Sequence, residues 1–225
     1  MSDLQQDNQE YYGSINEPLA ETILRTKPQA VLEIGCGSGA LGARLKSVVP
    51  GLQWDGIELF PAAAVKAKSV LDRVFEGSIE EFDLDPLAAT YDTIVMGDVL
   101  EHLINPWSAL KRLAGILRRN GNLCMSVPNV NHWSIFYALT TGRFPYAESG
   151  LLDRTHLRFF TRTELEQSII GAGLRVSRLE SIINQHPKMN PFIDNYLKFQ
   201  SVAEIPNPDL AIEMKTFQWV ITASK

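Results

Sequence analysis

Short apolar runs alternate with stretches of helical character, and this alternation restricts the fold more than any other feature of the chain. "AVLEIG" reads as a strand over Ala30–Gly35, "LQWDGIE" as a second ending at Glu58, and "RVFEG" as a third. A fourth runs over Tyr91–Gly97, and "GNLCMSVPN" gives a fifth, ended by Pro128. Between them lie "LGARLKSVV", the Ala-rich "PAAAVKAKSVL" with Pro61 at a first helical position, and "PWSALKRLAGILR". A further helix over about Glu17–Thr26 precedes the first strand. Repeated strand–helix alternation yields a parallel sheet covered on both faces and joined by right-handed crossovers.

Beyond Pro128 the pattern changes. "NHWSIFYALTTGRF" reads as a helix and a loop, and Thr161 with Glu164 three residues on forms a capping box for a helix that Gly173 ends. "RVSRLESII" and "FQWVITAS" are two strands, separated by a helix in "PFIDNYLKFQSVAEI" and a Pro-rich turn, "IPNPDL". The expected fold is α/β: a Rossmann-like, doubly wound sheet of about seven strands, mostly parallel, closed by an antiparallel C-terminal strand and carrying helical cap insertions. With 225 residues the chain is read as one domain, with residues 1–15 as a lid or tail and segments 129–160 and 185–210 as cap.

A net charge of -5 argues against binding nucleic acid by bulk electrostatics. No apolar run approaches the roughly 20 residues that span a bilayer, and the polar start resembles no signal peptide, so a cytoplasmic location is expected. Cys36 and Cys124 read as reduced thiols.

The segment "VLEIGCGSGALG" contains G-x-G-x-x-G at Gly37, Gly39 and Gly42, between a strand and a helix, with Glu58 about 20 residues on. Glycines here let a ligand approach the backbone at the strand's C-terminal end. Taken literally, the spacing suits NAD and an oxidoreductase.

The same segment resembles the first motif of class I S-adenosylmethionine-dependent methyltransferases, an apolar strand with an acid followed by G-x-G-x-G. That resemblance implies a cofactor site formed by Glu33, Gly35, Cys36, Gly37 and Gly39, with Glu58 and Leu59 at the end of the second strand. Glu33 would face the cationic methionine amino group. The two oxygens of Glu58 would accept the vicinal ribose hydroxyls. "FEGSIEEFDL" resembles the third motif and places Ser78 and Ile79 at the adenine, leaving Glu80 and Glu81 as solvated loop acids. "YDTIVMGDVLEHLINPW" resembles the strand-four segment of small-molecule methyltransferases and puts Gly97, Asp98 and Val99 beside the sulfonium and sugar. Tyr12 belongs to an N-terminal segment that such enzymes fold over the cofactor.

On a helical turn Asp98, Glu101 and His102 share one face. His102 is the first candidate for a general base, with His156 and His132 behind it. A metal site is not expected, because a carboxylate–histidine cluster in one segment lacks a second ligating segment.

His132 and Tyr137 fall where acceptor-binding segments sit in this fold. The run "DRTHLRFF" resembles D-x-T-H-x-R-F-F-T in a branch of methyltransferases often associated with glycan pathways. If it is extended, Arg154, His156 and Arg158 share one side and suit a phosphate or carboxylate. The competing reading is a clasp, in which Asp153 pairs with an arginine and the phenylalanines anchor the cap. The expected activity is methyl transfer to a hydroxyl of a sugar or glycan precursor. A silent S-adenosylmethionine-binding subunit is the non-enzymatic alternative. The expected partner is a small-molecule acceptor, and a homodimer is left open.

Overall fold

A computed structural model describes residues 15–204 and 207–225. The elements in chain order are α1 (Glu17–Arg25), β1 (Ala30–Ile34), α2 (Ala40–Lys46), β2 (Gln53–Glu58), α3 (Pro61–Ala67), β3 (Arg73–Glu76), β4 (Thr93–Gly97), α4 (Pro106–Ile116) and β5 (Asn122–Pro128). They continue with α5 (Trp133–Thr140), α6 (Arg162–Gly171), β6 (Arg175–Ile183), α7 (Met189–Val202), α8 (Leu210–Lys215) and β7 (Thr216–Ser224).

The strands form one seven-stranded sheet in the order β3-β2-β1-β4-β5-β7-β6, in which β7 alone runs antiparallel. β1 is buried along its whole length, so both of its faces carry apolar side chains. Leu32 and Ile34 join Ile94, Met96, Leu110, Leu113, Leu165 and Ile169 beneath α4 and α6. Val31 joins Trp54, Val95, Leu19, Ile23, Leu45 and Ala67 beneath α1, α2 and α3. The alternation along β1 thus feeds two cores on opposite sides of the sheet.

The local capping chemistry follows the sequence. Asn16 accepts the Leu19 N–H at 3.1 Å to start α1, and Thr161 accepts the Glu164 N–H at 3.2 Å to start α6. The chain winds outward to β2 on one side of β1 and to β4 on the other. This reversal opens a crevice at the C-terminal ends of β1 and β4, where ligands bind in open α/β sheets. Above β5, a third cluster of Trp133, Met189, Ile193, Leu210 and Met214 packs α5 against α7 and α8. Leu210, the last residue of the segment read as the "IPNPDL" turn, begins α8, a helix the sequence pattern does not separate from that turn, and Ile205 and Pro206 lie outside the described residues.

Candidate active site

The glycine loop between β1 and α2 is the first wall of the crevice. Gly35, Gly37 and Gly39 have φ of 67°, 54° and 83°, and Gly39 caps α2 in the left-handed region. A Cβ on Gly35 would stand 2.8 Å from Cγ2 of Val99, so the loops above β1 and β4 touch here. The Gly37 N–H donates to Oε2 of Glu58 at 2.7 Å, and the Phe60 N–H donates to Oε1 at 2.8 Å. Glu33 accepts the Trp54 indole N–H at 2.8 Å. Burial pushes the Glu33 carboxyl up to about 8, against the Trp54 hydrogen bond and with help from the charge of Glu58. Cys36 is a buried thiol beside these acids, and Leu59 is exposed.

In the loop after β3, Ser78 Oγ accepts the Glu80 N–H at 3.2 Å, and Ile79 is buried. Glu80 is not a free loop acid. Its carboxylate accepts the N–H groups of Ile104 and Asn105 at 3.1 and 2.7 Å and ties this loop to the start of α4. Glu81 is exposed.

At the top of β4, Asp98 adopts φ 53°, a conformation that few non-glycine residues tolerate. Its carboxylate accepts from Ser126 Oγ at 3.2 Å and from the side-chain amide of Gln218, which in turn accepts from Asn16 at 3.1 Å. Burial raises the Asp98 carboxyl to about 6, while Ser126 and Gln218 hold it down. Gln218 is a residue that sequence reasoning missed. Its only trace in the sequence is a polar side chain between Phe217 and Trp219 at the start of the strand "FQWVITAS".

The helical turn expected to align Asp98, Glu101 and His102 is instead a single 3-10 turn over Leu100–His102. Asp98 lies outside it, turned toward Ser126 and Gln218, while Glu101 points inward and is 1% exposed. Neither oxygen of Glu101 has a hydrogen-bond partner among the described residues. Its carboxyl is driven well above the usual range by burial and by the charge of Asp98. His156 brings Nε2 to 4.0 Å from Glu101 Oε1, and its ring meets the His102 ring edge-on at 4.9 Å. Burial lowers both imidazoles from the ordinary value.

The run "DRTHLRFF" is not an extended strand, so its residues do not sort onto two sides. The N–H groups of Leu157 and Arg158 both donate to the Glu101 carbonyl, at 2.8 and 3.0 Å, and staple this segment above the crevice. Asp153 accepts from the Thr155 N–H and Oγ1 rather than pairing with an arginine. Arg154 pairs with Glu148 at 2.5 Å in solvent. Arg158 donates to the Ile104 carbonyl at 2.6 Å and lies over the Trp107 ring. The three groups expected to grip one anion therefore point to three different partners. Phe160 is buried in the main core, and Phe159 packs on His156 and Phe144.

His132 caps α5 and is buried between Trp133 and Phe217, its imidazole lowered by burial to about 4. Tyr137 is partly exposed on the same helix, against Trp133 and Phe192. Tyr12 lies outside the described residues.

A parallel sheet with a positive-φ glycine loop after its first strand, a buried acid closing its second and a crevice at its switch point defines an enzyme of the nucleotide-cofactor-binding α/β class. The donor set fits S-adenosylmethionine: Glu58 keeps acceptor capacity toward a vicinal diol, and Glu33 offers a carboxylate to a cationic amino group. Residues 5–179 match the family described as "Methyltransferase domain". The chain belongs to this family and is an S-adenosylmethionine-dependent methyltransferase with the Rossmann-like class I fold. It is 28% identical over 179 residues to a ubiquinone biosynthesis O-methyltransferase of Photobacterium profundum, covering 76% of this chain and 72% of that protein. A malonyl-[acyl-carrier protein] O-methyltransferase of Geobacter sulfurreducens is 24% identical over 193 residues, covering 81% of this chain and 72% of its own length. Among solved structures, the plantazolicin methyltransferase BpumL in complex with S-adenosylhomocysteine superposes with a TM-score of 0.64 at 18% identity, over 100% of this chain and 91% of that one. The glycine spacing that also suits NAD thus belongs to a methyltransferase, and neither an NAD enzyme nor a silent cofactor-binding subunit gains support. Among the described residues no helix is long and apolar enough to cross a membrane.

Proposed function

We propose that the chain transfers a methyl group to a hydroxyl oxygen of a small, ring-bearing acceptor held between the glycine loop and the segment over residues 144–159. The observation that carries this reading is the meeting of Glu101, His102 and His156 at the C-terminal end of β4, where proton-handling side chains from two distant segments border the crevice. Both relatives are O-methyltransferases by name, which supports oxygen as the methylated element. S-adenosylmethionine, when bound, supplies an electrophilic methyl group on a positive sulfur.

Glu58, Glu33 and the loop of Gly35, Gly37 and Gly39 hold the cofactor, with Gly97, Asp98 and Val99 against its sulfur end and Ser78 and Ile79 at its base. The crevice aligns the acceptor oxygen with the methyl group. His102 accepts the hydroxyl proton at Nε2, because its Nδ1 faces the Thr155 carbonyl at 3.2 Å and a Thr155 hydroxyl that gives its proton to Asp153, so Nδ1 is the donor there. Phe144, Tyr146, Leu157 and Phe159 present an exposed apolar rim in place of the expected anion grip, which suits the flat face of a sugar or phenolic ring. A sugar or glycan precursor is the acceptor class that the "DRTHLRFF" run suggests, without the phosphate that three converging cations would have required.

The test is incubation with methyl-labelled S-adenosylmethionine and a panel of sugars, phenols, carboxylates and amines, read by mass spectrometry. O-methylation of a ring hydroxyl is expected. Labelling confined to nitrogen, or to open-chain carboxylates, overturns the reading.

A further inference from the structure

We propose that Glu101, His102 and His156 form a binding site for a divalent first-row transition cation of borderline softness, with zinc the foremost candidate. Each of the three offers one ligand atom, and these atoms all lie within 4.8 Å of one another. His156 supplies the second ligating segment that the linear spacing of Glu101 and His102 lacks.

Which atoms donate decides what the cluster can hold. His156 Nδ1 lies 3.3 Å from the Leu151 carbonyl, and His102 Nδ1 lies 3.2 Å from the Thr155 carbonyl. A carbonyl oxygen only accepts, and Thr155 Oγ1, also 3.2 Å from His102 Nδ1, gives its own proton to Asp153 Oδ1 at 2.7 Å, so each Nδ1 carries the proton and each Nε2 keeps a lone pair. Glu101 is buried with neither oxygen hydrogen-bonded, and among the described residues no lysine or arginine lies within ion-pair distance of it. Arg158, the nearest cation in sequence to His156, is turned to the Ile104 carbonyl and the Trp107 ring. The three ligand atoms therefore face one another as acceptors, and a proton on the Glu101 carboxyl is the one donor the cluster itself could supply. Lone pairs so arranged repel unless a positive centre lies between them, and burial makes an unmatched carboxylate costly.

Backbone carbonyls that hold Nδ1–H and turn Nε2 inward are the second layer of contacts that orients histidine toward a metal. Two imidazole nitrogens and one carboxylate suit zinc, iron or manganese better than magnesium, which prefers an all-oxygen octahedron. Bonds of about 2.0–2.2 Å bring the ligand atoms closer together than they stand here, a change that small rotations of the two rings supply. Three protein ligands leave a position open on the cation, as catalytic rather than structural sites do. The inference rests on the reading of this cluster as the place where the acceptor hydroxyl loses its proton, and deepens it: with a cation held, the histidines are ligands, the cation would acidify the acceptor hydroxyl, and its proton would pass to solvent water as the acceptor binds rather than to His102.

Full-length protein stripped with a chelator and dialysed is titrated with zinc, cobalt and magnesium chlorides by calorimetry, and the cobalt form is read by visible absorption. One zinc per chain is expected, bound more tightly than magnesium, with cobalt ligand-field bands. Glu101→Gln and His156→Asn should each weaken zinc by more than about the tenfold that loss of even an outer-layer partner costs. Circular dichroism identifies a variant that fails to fold, and the other then carries the comparison. Absence of one-to-one zinc binding in the folded wild type, or equal zinc affinity in the folded variants, overturns the proposal. Binding is read without turnover, so zinc bound in a protein that methylates no hydroxyl supports the site and counts against the proposed function alone.

Discussion

Glu58 reaches from the end of β2 to take the backbone N–H of Gly37 at 2.7 Å, so the acid closing one strand shapes the loop that follows another. The same carboxylate holds the Phe60 N–H at 2.8 Å, which fixes both oxygens and leaves each with a further lone pair. Glu58→Ala removes the proposed acceptor for the ribose hydroxyls and also frees the loop. Hydrogen bonds to a charged group contribute about 1.5–3 kcal/mol each, so S-adenosylhomocysteine should bind more than about tenfold more weakly by calorimetry. An affinity within twofold of wild type, an order-of-magnitude criterion at the edge of what such a bond can contribute, would remove Glu58 from the site.

Gly39 and Gly115 form a matched pair for testing the loop. Gly39 has φ 83°, and a Cβ there would stand 2.7 Å from Cγ2 of Val70 and 3.2 Å from Cα of Ala67. Gly115 lies inside α4, and a Cβ there meets nothing within 4 Å. Gly39→Ala should cost about 1–3 kcal/mol of unfolding free energy from strain and overlap. Gly115→Ala should add about 0.5–1 kcal/mol by restoring helix propensity. Urea denaturation of the two variants checks both signs.

The glycine loop, Glu58 and the switch-point crevice are legible in the sequence because they arise from contacts between neighbouring strands, and strand spacing records such contacts. Glu101 and His156 are separated by α4, β5, α5 and a folded roof, and no periodicity links them. The expected alternation of Arg154, His156 and Arg158 failed because the segment spends its backbone N–H groups on the Glu101 carbonyl instead of on a neighbouring strand. Gln218 and Asp98 meet only because β7 inserts antiparallel beside β5. α8 escaped because six residues after a proline-rich turn give little periodicity.

Glu33 gives the protein a pH-dependent stability of defined sign. Its folded-state pKa is raised to about 8 by burial, from the ordinary 4.5. Between these values the folded state holds a proton that the unfolded state has lost, so stability falls as pH rises through the window. Below about 4.5 both states are protonated and the penalty vanishes; above about 8 it is full. Glu33→Gln keeps an acceptor for the Trp54 N–H and cannot ionise. Thermal melts should show the variant gaining on wild type from pH 5 to pH 8, and a gap that does not change with pH would place the Glu33 proton elsewhere.

Arg154 and Arg158 lie four residues apart and should behave in opposite ways. Arg154 pairs with Glu148 where both side chains are well exposed, and such pairs contribute about 0–1 kcal/mol. Arg158 bridges the roof to the loop before α4 through the Ile104 carbonyl and the Trp107 ring. Arg158→Ala removes that bridge and should lower stability by about 1–3 kcal/mol, and it should raise protease cleavage in residues 141–150. Arg154→Ala should leave the melting temperature nearly unchanged. If the roof loosens, acceptor KM rises in Arg158→Ala while affinity for S-adenosylhomocysteine holds, because the glycine loop and Glu58 do not touch this segment. Wild-type stability in Arg158→Ala together with a lost acceptor would mean that the guanidinium leaves Ile104 to meet the substrate.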